Sequence, residues 1–226
     1  MKRHFFDNLE SKTVIVAGGN GLIGSAIVKQ LEFYGANVVC ADIVGKGEYL
    51  DIGDPETLRF LFGKYYQYYS QIDAFVDCAY PQKVLEPMKW CQTYEDIAGY
   101  LSICGGSIIL FSSIYGQVGP RMDIYKDNEI EPPTAQYAFN KAGIIGITKY
   151  IAAKYGKYGL RCNVVCPGGV LDKQSASFIN NYIKRVPLGR MALPSDIVGV
   201  VLFLISDWSK YITGQIIAID GGLTSI

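Results

Sequence analysis

The chain has 226 residues, half of them hydrophobic, which is enough to form one α/β domain with a substantial core. Its 21 basic residues balance 21 acidic residues, so the formal net charge at pH 7 is zero, and the sequence has no polybasic segment. We therefore expect neither nucleic acid nor an anionic membrane surface as a partner.

The N-terminus and the cysteines indicate a cytoplasmic protein. No apolar signal region follows the charged start, and no uncharged apolar stretch reaches the roughly 18 residues of a membrane span. His4 is the only histidine, which argues against a histidine-based triad and a histidine-rich metal site. Without a C-x-x-C pair, the cysteines are predicted to be core thiols in a reducing compartment. The cysteines are Cys40, Cys78, Cys91, Cys104, Cys162 and Cys166.

The first predicted unit is a buried strand that continues into a glycine turn and a helix. The strand covers residues 13 to 17, and the turn contains Gly18, Gly21 and Gly24 before apolar residues recur at helical spacing. Bare backbone amides and a helix N-terminus in this arrangement can hold a pyrophosphate. The unit therefore predicts a dinucleotide site.

A second strand, residues 37 to 42, ends in an acid that can select the dinucleotide. Asp42 follows Gly24 by 18 residues, where a carboxylate can accept hydrogen bonds from the adenosine ribose and repel a 2′-phosphate. This favours NAD over NADP, although an aspartate that only caps the next turn is an alternative. A third strand is predicted over residues 48 to 52, in which Asp51 can bond the adenine amino group.

The middle of the chain alternates predicted helices and strands. Crossover helices join parallel strands, so this alternation predicts an α/β fold with a parallel sheet. The elements are a helix from Asp54 to about Tyr69, a strand over 72 to 77, a short helix marked by Tyr94, Ile97, Leu101 and Cys104, and a strand over 107 to 113.

A long apolar helix, predicted from residue 137 to about 156, carries Tyr137 and Lys141 one turn apart on one face. An ammonium group about 5–6 Å from a phenol lowers the pKa of the phenol from roughly 10 toward neutrality, which makes it a usable general acid or base. With 17 tyrosines in the chain, this spacing by itself is usually accidental. Ser113, at the carboxyl end of the preceding strand, is expected to share a substrate oxygen with Tyr137.

The remaining segments are predicted to surround this site. Residues 117 to 136 are expected to form one wall of the substrate site. A mobile lid is predicted over 171 to 190, with Arg185 and Arg190 as candidate anion contacts and surface ion pairing as the alternative. The other elements are a strand from Leu160 that breaks at Pro167-Gly168-Gly169, a helix from Pro194 to about Ser206 and a strand from 213 to 219.

Taken in order, these motifs resemble those of the short-chain dehydrogenase/reductases over nearly the whole chain. The segments 79–81, 112–116 and 140–145 are more narrowly similar to oxidoreductases of flagellin-modification and amino-sugar (legionaminic-acid-type) pathways. The motifs are the glycine turn 18 to 24, Asp42, Asp51, Ala79, Ser113, Tyr137 with Lys141, Asn163 with Pro167-Gly168, and Thr213-Gly214 with Asp220-Gly221-Gly222.

The resemblance implies a single-domain, doubly wound Rossmann fold with seven parallel strands. It also implies hydride transfer between NAD and a sugar-derived small molecule, no metal, and a homodimer or homotetramer. The implied catalytic residues are Ser113, which holds the substrate oxygen, Tyr137, which exchanges a proton with it, and Lys141, which lowers the pKa of Tyr137 and binds the nicotinamide ribose. The implied cofactor-binding residues are Gly18, Asn20, Gly21, Leu22, Ile23, Gly24, Asp42, Ile43, Asp51, Ile52, Cys78, Ala79, Tyr80, Tyr137, Lys141, Pro167, Gly168 and Val170.

Three departures from the family pattern leave alternatives open. Asp77-Cys78-Ala79-Tyr80 replaces Asn-Asn-Ala-Gly, no asparagine occurs between Asn37 and Asn128, and the region from 80 to 106 is about a helix shorter than in the family. The alternatives are a 3-oxoacyl thioester reductase and an NAD-binding protein with impaired or no catalysis.

Overall fold

Alternating strands and helices build a single parallel sheet in the computed structural model, which describes residues 6 to 79, 87 to 126 and 129 to 226. Tyr80, an expected cofactor contact, lies outside the described residues. The strands of the described part are β1 (Thr13–Ala17), β2 (Asn37–Asp42), β3 (Glu48–Tyr49), β4 (Ala74–Asp77), β5 (Gly106–Phe111), β6 (Leu160–Pro167) and β7 (Ile216–Ile219).

The strand order is β3-β2-β1-β4-β5-β6-β7, and every neighbouring pair is parallel. The predicted doubly wound sheet is therefore confirmed. The chain moves outward from β1 through β2 to β3 and then returns to the other side of β1 with β4. This reversal opens a crevice outside the carboxyl ends of β1 and β4, where open α/β sheets bind ligands.

Helices cover both faces of the sheet. The helices are α1 (Leu22–Phe33), α2 (Pro55–Tyr69), α3 (Pro87–Leu101), α4 (Ala135–Tyr155), α5 (Ala176–Ile183) and α6 (Pro194–Ile205). α2 begins where the Asp54 side chain accepts a hydrogen bond from the Glu56 amide, as the sequence predicts.

Alternate residues of each central strand enter two separate cores. In β1, Ile15 packs in the core under α2, α3 and α4, whereas Val14 and Val16 pack in the core under α1 and α6. This two-residue period explains why the strands are continuous apolar runs in the sequence.

The structure corrects three local predictions. β3 is confined to Glu48–Tyr49, because the chain turns at Asp51, whose carboxylate accepts a hydrogen bond from the Gly53 amide. The crossover helix ends at Leu101 rather than Cys104. Cys91 and Cys104 are exposed, so the prediction that all the cysteines are core thiols is wrong for these two.

Within the described ranges, no helix combines the length and the apolar character needed to cross a bilayer. In the same part of the chain, no three histidine, cysteine, aspartate or glutamate side chains converge on a position for a metal ion.

Candidate active site

A cavity of about 320 Å³ lies at the carboxyl edge of the sheet. It is formed where the segments that follow β1, β4, β5 and β6 meet the first turns of α4. Its lining residues are Ile23, Cys78, Ala79, Phe111, Ser112, Ser113, Tyr137, Lys141, Pro167, Gly168 and Val170. The structure thus brings the three predicted catalytic side chains into one cavity with six of the other predicted cofactor contacts.

α4 is fixed against the turn that follows β5. The Ser112 hydroxyl donates a 2.7 Å hydrogen bond to the Lys141 carbonyl oxygen. A Cβ atom added to Gly116 would lie 2.8 Å from that same oxygen, so only glycine allows this close approach. At the start of the helix, the Thr134 hydroxyl accepts a 3.1 Å hydrogen bond from the Tyr137 amide. These contacts set the position of Tyr137 and Lys141 relative to the end of β5.

Lys141 is buried, with 7% of its surface exposed, and its ammonium group lies beside the end of β5. The Nζ atom donates a 3.0 Å hydrogen bond to the Phe111 carbonyl and lies 5.8 Å from the centroid of the Tyr137 ring. Burial lowers the pKa of Lys141, and the Asp77 carboxylate opposes that shift. Half-buried Tyr137 and buried Lys141 therefore form a phenol–ammonium pair in the lining of the cavity.

Ser113 begins a short 3₁₀ turn over Ile114–Gly116 at the mouth of the cavity. Its hydroxyl oxygen accepts a 3.2 Å hydrogen bond from the Tyr115 amide. Since a serine hydroxyl has one donor and two acceptor positions, the hydrogen can still be donated to a ligand oxygen. The turn therefore orients this hydroxyl without using its hydrogen.

The glycine turn fits the pyrophosphate of a dinucleotide, because close backbone packing excludes side chains there. Gly18 has φ of +70°, and a Cβ at this position would lie 2.7 Å from the Ala79 nitrogen. A Cβ on Gly24 would lie 2.1 Å from the Gly18 oxygen. Gly21 precedes α1 without any side-chain cap, so the first helical amides are not covered by a capping side chain.

Asp42 lies at the end of β2 beside this turn. Its carboxylate accepts hydrogen bonds of 3.0 Å from the Asn20 amide and 2.8 Å from the Ile43 amide. The Asn20 side chain in turn donates to the carbonyl oxygens of Val44 and Lys46. The loop after β2 is thereby fastened to the glycine turn, with the acid between them.

Three further predicted cofactor residues do not line this cavity: Leu22, Asp51 and Ile52. Leu22 is 45% exposed at the start of α1. One carboxylate oxygen of Asp51 accepts a hydrogen bond from the Gly53 amide. Ile52 is buried in the core, and its carbonyl oxygen accepts a 3.3 Å hydrogen bond from the Thr93 hydroxyl.

Two groups that were not predicted as site residues lie here. Phe111 and Ser112 line the cavity and supply the contacts that hold Lys141. Asp77 and Tyr94 form a buried 2.6 Å hydrogen bond at the end of β4. A signal for Asp77 existed in the sequence, since a carboxylate at the end of the apolar run 74–76 is unusual in a buried strand.

Both arginines proposed as anion contacts have carboxylate partners. The Arg185 guanidinium lies 2.5 Å from Asp123, and that of Arg190 makes hydrogen bonds of 2.6 and 2.8 Å to Asp196. These contacts favour the surface ion pairs that the sequence left as the alternative. In the same segment, the Gly169 amide donates to the Tyr182 hydroxyl, which joins α5 to the turn after β6.

A family model described as enoyl-(acyl carrier protein) reductase matches residues 17–224. The solved structure of a short-chain dehydrogenase from Leptospira borgpetersenii with bound NAD⁺ is 32% identical and superposes with a TM-score of 0.81, covering 99% of this chain and 97% of the other. The chain belongs to the short-chain dehydrogenase/reductase family. The motif-based resemblance is thereby confirmed.

Two curated relatives are similar over nearly their whole length. The post-translational flagellin modification protein A of Campylobacter coli is 29% identical over 257 aligned positions, covering 95% of this chain and 98% of the relative. A 3-oxoacyl-(acyl-carrier-protein) reductase of Thermotoga maritima is 30% identical over 253 positions, covering 95% and 98%. Because both alignments exceed the 226 residues of this chain, both relatives contain residues that it lacks.

Proposed function

We propose that this chain, an oxidoreductase by its family, uses NAD(H) to move a hydride to or from a carbonyl or hydroxyl carbon of a sugar-derived substrate. The observation that carries this proposal is the cavity in which Ser113, Tyr137 and the buried Lys141 meet. A hydroxyl donor, a phenol and an ammonium group together suit proton transfer to a developing alkoxide.

In this mechanism the substrate oxygen lies between the Ser113 and Tyr137 hydroxyls. During reduction Tyr137 donates its proton to that oxygen while a hydride reaches the carbon, and during oxidation both transfers reverse. Lys141 favours the phenolate form of Tyr137 and offers its ammonium group to the nicotinamide ribose. Ser113 holds the oxygen throughout with its free hydroxyl hydrogen.

NAD, when bound, supplies the hydride acceptor for oxidation, and NADH supplies the donor for reduction. We propose that the glycine turn binds the pyrophosphate, Asp42 the adenosine ribose, and Cys78, Ala79 and Val170 the nicotinamide end. Asp51 and Ile43 complete the adenosine site in this proposal. The NAD⁺ in the Leptospira structure and the acid at position 42 both support NAD over NADP.

The sugar-derived substrate rests on the similarity to the flagellin modification protein of Campylobacter coli. A reaction in surface-glycan or amino-sugar biosynthesis follows from that similarity. The test is to titrate the protein with NADH, follow the cofactor fluorescence, and then assay a panel of sugar carbonyls. We expect saturable NADH binding and turnover of at least one sugar carbonyl.

Tyr137→Phe is the matched variant for this assay because it removes one hydroxyl and leaves the ring. We expect it to bind NADH like the parent and to lose about 10²- to 10⁴-fold in turnover, the usual contribution of general acid–base catalysis. Undiminished turnover in this variant would disprove the mechanism. Saturable binding without turnover across the panel would instead support an NAD-binding protein without catalysis.

Reduction of a 3-oxoacyl thioester is the second candidate. It is favoured by the similarity to 3-oxoacyl-(acyl-carrier-protein) reductases from Thermotoga maritima and Chlamydia trachomatis, at 30% and 29% identity. Acetoacetyl-coenzyme A in the same assay separates the two candidates. Faster turnover of this thioester than of any sugar carbonyl would decide for the second.

We further propose that the chain acts in the cytoplasm as a homodimer or homotetramer. α4 is apolar on its outer side as well, where Phe139 is 64% exposed and Tyr150 is 47% exposed. Burial of these side chains against a second copy would remove apolar surface from water. The mass of the protein in dilute solution tests this, and a monomer would contradict it.

A further inference from the structure

Asp77 is a buried carboxylate that the mechanism above does not use. Only 3% of its surface is exposed, although an isolated buried carboxylate is costly. One of its oxygens accepts a 3.0 Å hydrogen bond from the Ala79 amide, and the other accepts a 2.6 Å hydrogen bond from the Tyr94 hydroxyl. Burial raises the pKa of the Asp77 carboxyl, while the Tyr94 hydroxyl, the Ala79 amide and the charge of Lys141 oppose that shift by favouring the ionised acid.

The alternation along β4 places Asp77 on the same face of the sheet as α3 and α4. Ala74 and Val76 pack under α1 and α6, while Phe75 packs under α2, α3 and α4. Asp77 has the same parity as Phe75 and accordingly reaches Tyr94 of α3. It therefore lies on the side from which α4 presents Lys141.

The strand register brings the carboxylate and the ammonium group to the same edge of the sheet. Asp77 pairs with Leu110, and Phe111 is the next residue of β5. The Lys141 ammonium group is bound to the Phe111 carbonyl, one strand away from Asp77. Adjacent strands are separated by only about 4.8 Å, and each of the two charged groups shifts the pKa of the other, so they are close enough to interact electrostatically.

We propose that Asp77, oriented by Tyr94, is the counter-ion of the Lys141 ammonium group and acts as a positioning residue for the proposed reaction. The role in turnover rests on the proposed function, whereas the pairing of the two charges does not. Tyr94 fixes the carboxylate from α3, and Lys141 approaches from α4. The pair thus connects both helices to the ends of β4 and β5.

Among the described residues, the other titratable groups around Lys141 are two thiols and the Tyr137 phenol. Cys78 follows Asp77 in the chain, Cys166 faces Lys141 from β6, and burial raises the pKa of both thiols, which keeps them neutral. Tyr94 likewise has its pKa raised by burial and by Asp77, so it remains a hydrogen-bond donor. Among the described residues, Asp77 is therefore the carboxylate that opposes the effect of burial on the pKa of Lys141.

The test is the titration of Lys141 in the cofactor-free protein. Lysine labelled at Nζ and Cε is followed by NMR as the pH is raised, and its signal is assigned by its loss in Lys141→Met. In Asp77→Asn we expect the Lys141 midpoint to fall by about one pH unit or more, the usual effect of removing a nearby opposite charge. Tyr94→Phe should shift it in the same direction by less.

Asp73→Asn is the matched control, since Asp73 immediately precedes β4 and is about 13 Å from Asp77 along the strand. Asp73 accepts a hydrogen bond from the Thr13 amide and is outside the cavity, so its loss should leave the Lys141 midpoint unchanged. A folded Asp77→Asn protein with the parental midpoint would overturn the proposal. If Asp77→Asn does not fold, a parental midpoint in Tyr94→Phe overturns it.

The same variants separate this proposal from the proposed function. If the parent turns over a substrate, Asp77→Asn should lower the pH at which kcat/KM declines on the alkaline side. A Lys141 midpoint that falls while this decline stays in place would refute the role in turnover. If the parent shows no turnover on any substrate, the proposed function fails, and the NMR titration still decides the counter-ion.

Discussion

The glycine turn and the buried charge cluster lie at the same edge of the sheet but are built in opposite ways. In the turn, Gly18 and Gly24 work by having no side chain, because any Cβ there would meet backbone atoms. In the cluster, Asp77, Tyr94 and Lys141 work through polar atoms that are almost completely removed from water. The residues tolerated in the glycine turn are limited by the space around the backbone, and those tolerated in the cluster are limited by the balance of buried charges.

This difference changes what a substitution should do. In the turn, adding one methyl group should lower both the free energy of unfolding and cofactor binding. A second substitution elsewhere cannot easily relieve a clash with backbone atoms. In the cluster, removing one charge should be damaging because its partner remains buried, and removing the partner should relieve that cost. In the cluster, a second substitution should therefore restore stability without restoring activity, whereas in the turn both should stay lost.

Lys141→Met should produce the largest effect. It removes the ammonium group that favours the Tyr137 phenolate, so we expect turnover to fall about 100-fold or more. It also leaves the Asp77 carboxylate without its counter-ion, which should lower the free energy of unfolding by about 3–5 kcal/mol. Urea unfolding and steady-state assays measure the two effects.

The double variant Asp77→Asn/Lys141→Met tests the reasoning about charge balance. Here the buried pair is neutral on both sides, so much of the lost stability should return while turnover stays low. If the double variant loses as much free energy of unfolding as the two single variants lose together, the two side chains do not interact, and the contrast between the two regions fails.

Gly24→Ala should have the next largest effect. The new Cβ would lie 2.1 Å from the Gly18 oxygen, so the turn must open. We expect a loss of about 1–3 kcal/mol in the free energy of unfolding, as for overpacked sites, together with loss of NADH binding. NADH fluorescence and urea unfolding measure these two quantities.

Gly63→Ala is the control for this variant. Gly63 lies inside α2 with no atom within 4 Å of an added Cβ. Alanine there should raise the free energy of unfolding by about 0.5–1 kcal/mol and leave NADH binding unchanged. Equal effects of the two substitutions would mean that glycine is not needed at position 24.

Asp42→Ala should have a smaller effect, confined to cofactor choice. Loss of the carboxylate removes the expected ribose contact and the repulsion of a 2′-phosphate, so NADH affinity should fall about tenfold, or ~1.4 kcal/mol, while NADPH affinity rises. Asp54→Ala is matched, since Asp54 also accepts a hydrogen bond from a backbone amide, but at the start of α2. An unchanged ratio of NADH to NADPH affinity in Asp42→Ala would show that Asp42 only caps the turn and does not select the cofactor.

The sequence predicted the elements of this fold well where apolar periodicity was continuous. β1, β2 and α2 begin and end within a residue or two of the predicted bounds, because buried runs and caps are local signals. The beginning of α3 at Pro87 was missed, since residues 87 to 93 show no helical apolar period.

In the site, the spacing of Tyr137 and Lys141 was readable because both lie on one helix. The proximity of Asp77 and Lys141 could not be predicted from the sequence, because 64 positions separate them in the chain and only the pairing of β4 with β5 brings them together. Side chains joined by sheet register leave no short-range pattern.

The exposed Arg190–Asp196 pair gives the smallest expected effect and calibrates the buried one. The Arg190 hydrogen bonds hold the pKa of Asp196 at about 2, below its ordinary value, with the two side chains 53% and 30% exposed. Because the folded-state pKa is lowered, the stabilisation is present above the unfolded-state pKa of about 4 and is lost as the pH falls toward 2.

Asp196→Asn should therefore lower the free energy of unfolding by at most about 1 kcal/mol at neutral pH, and less at high salt. Urea unfolding of both proteins between neutrality and about pH 3 should show the two stabilities converging below about pH 4. Asparagine keeps an oxygen for the Leu193 amide, so a difference that persists at low pH and high salt would show that this exposed pair does not behave as a screened charge pair.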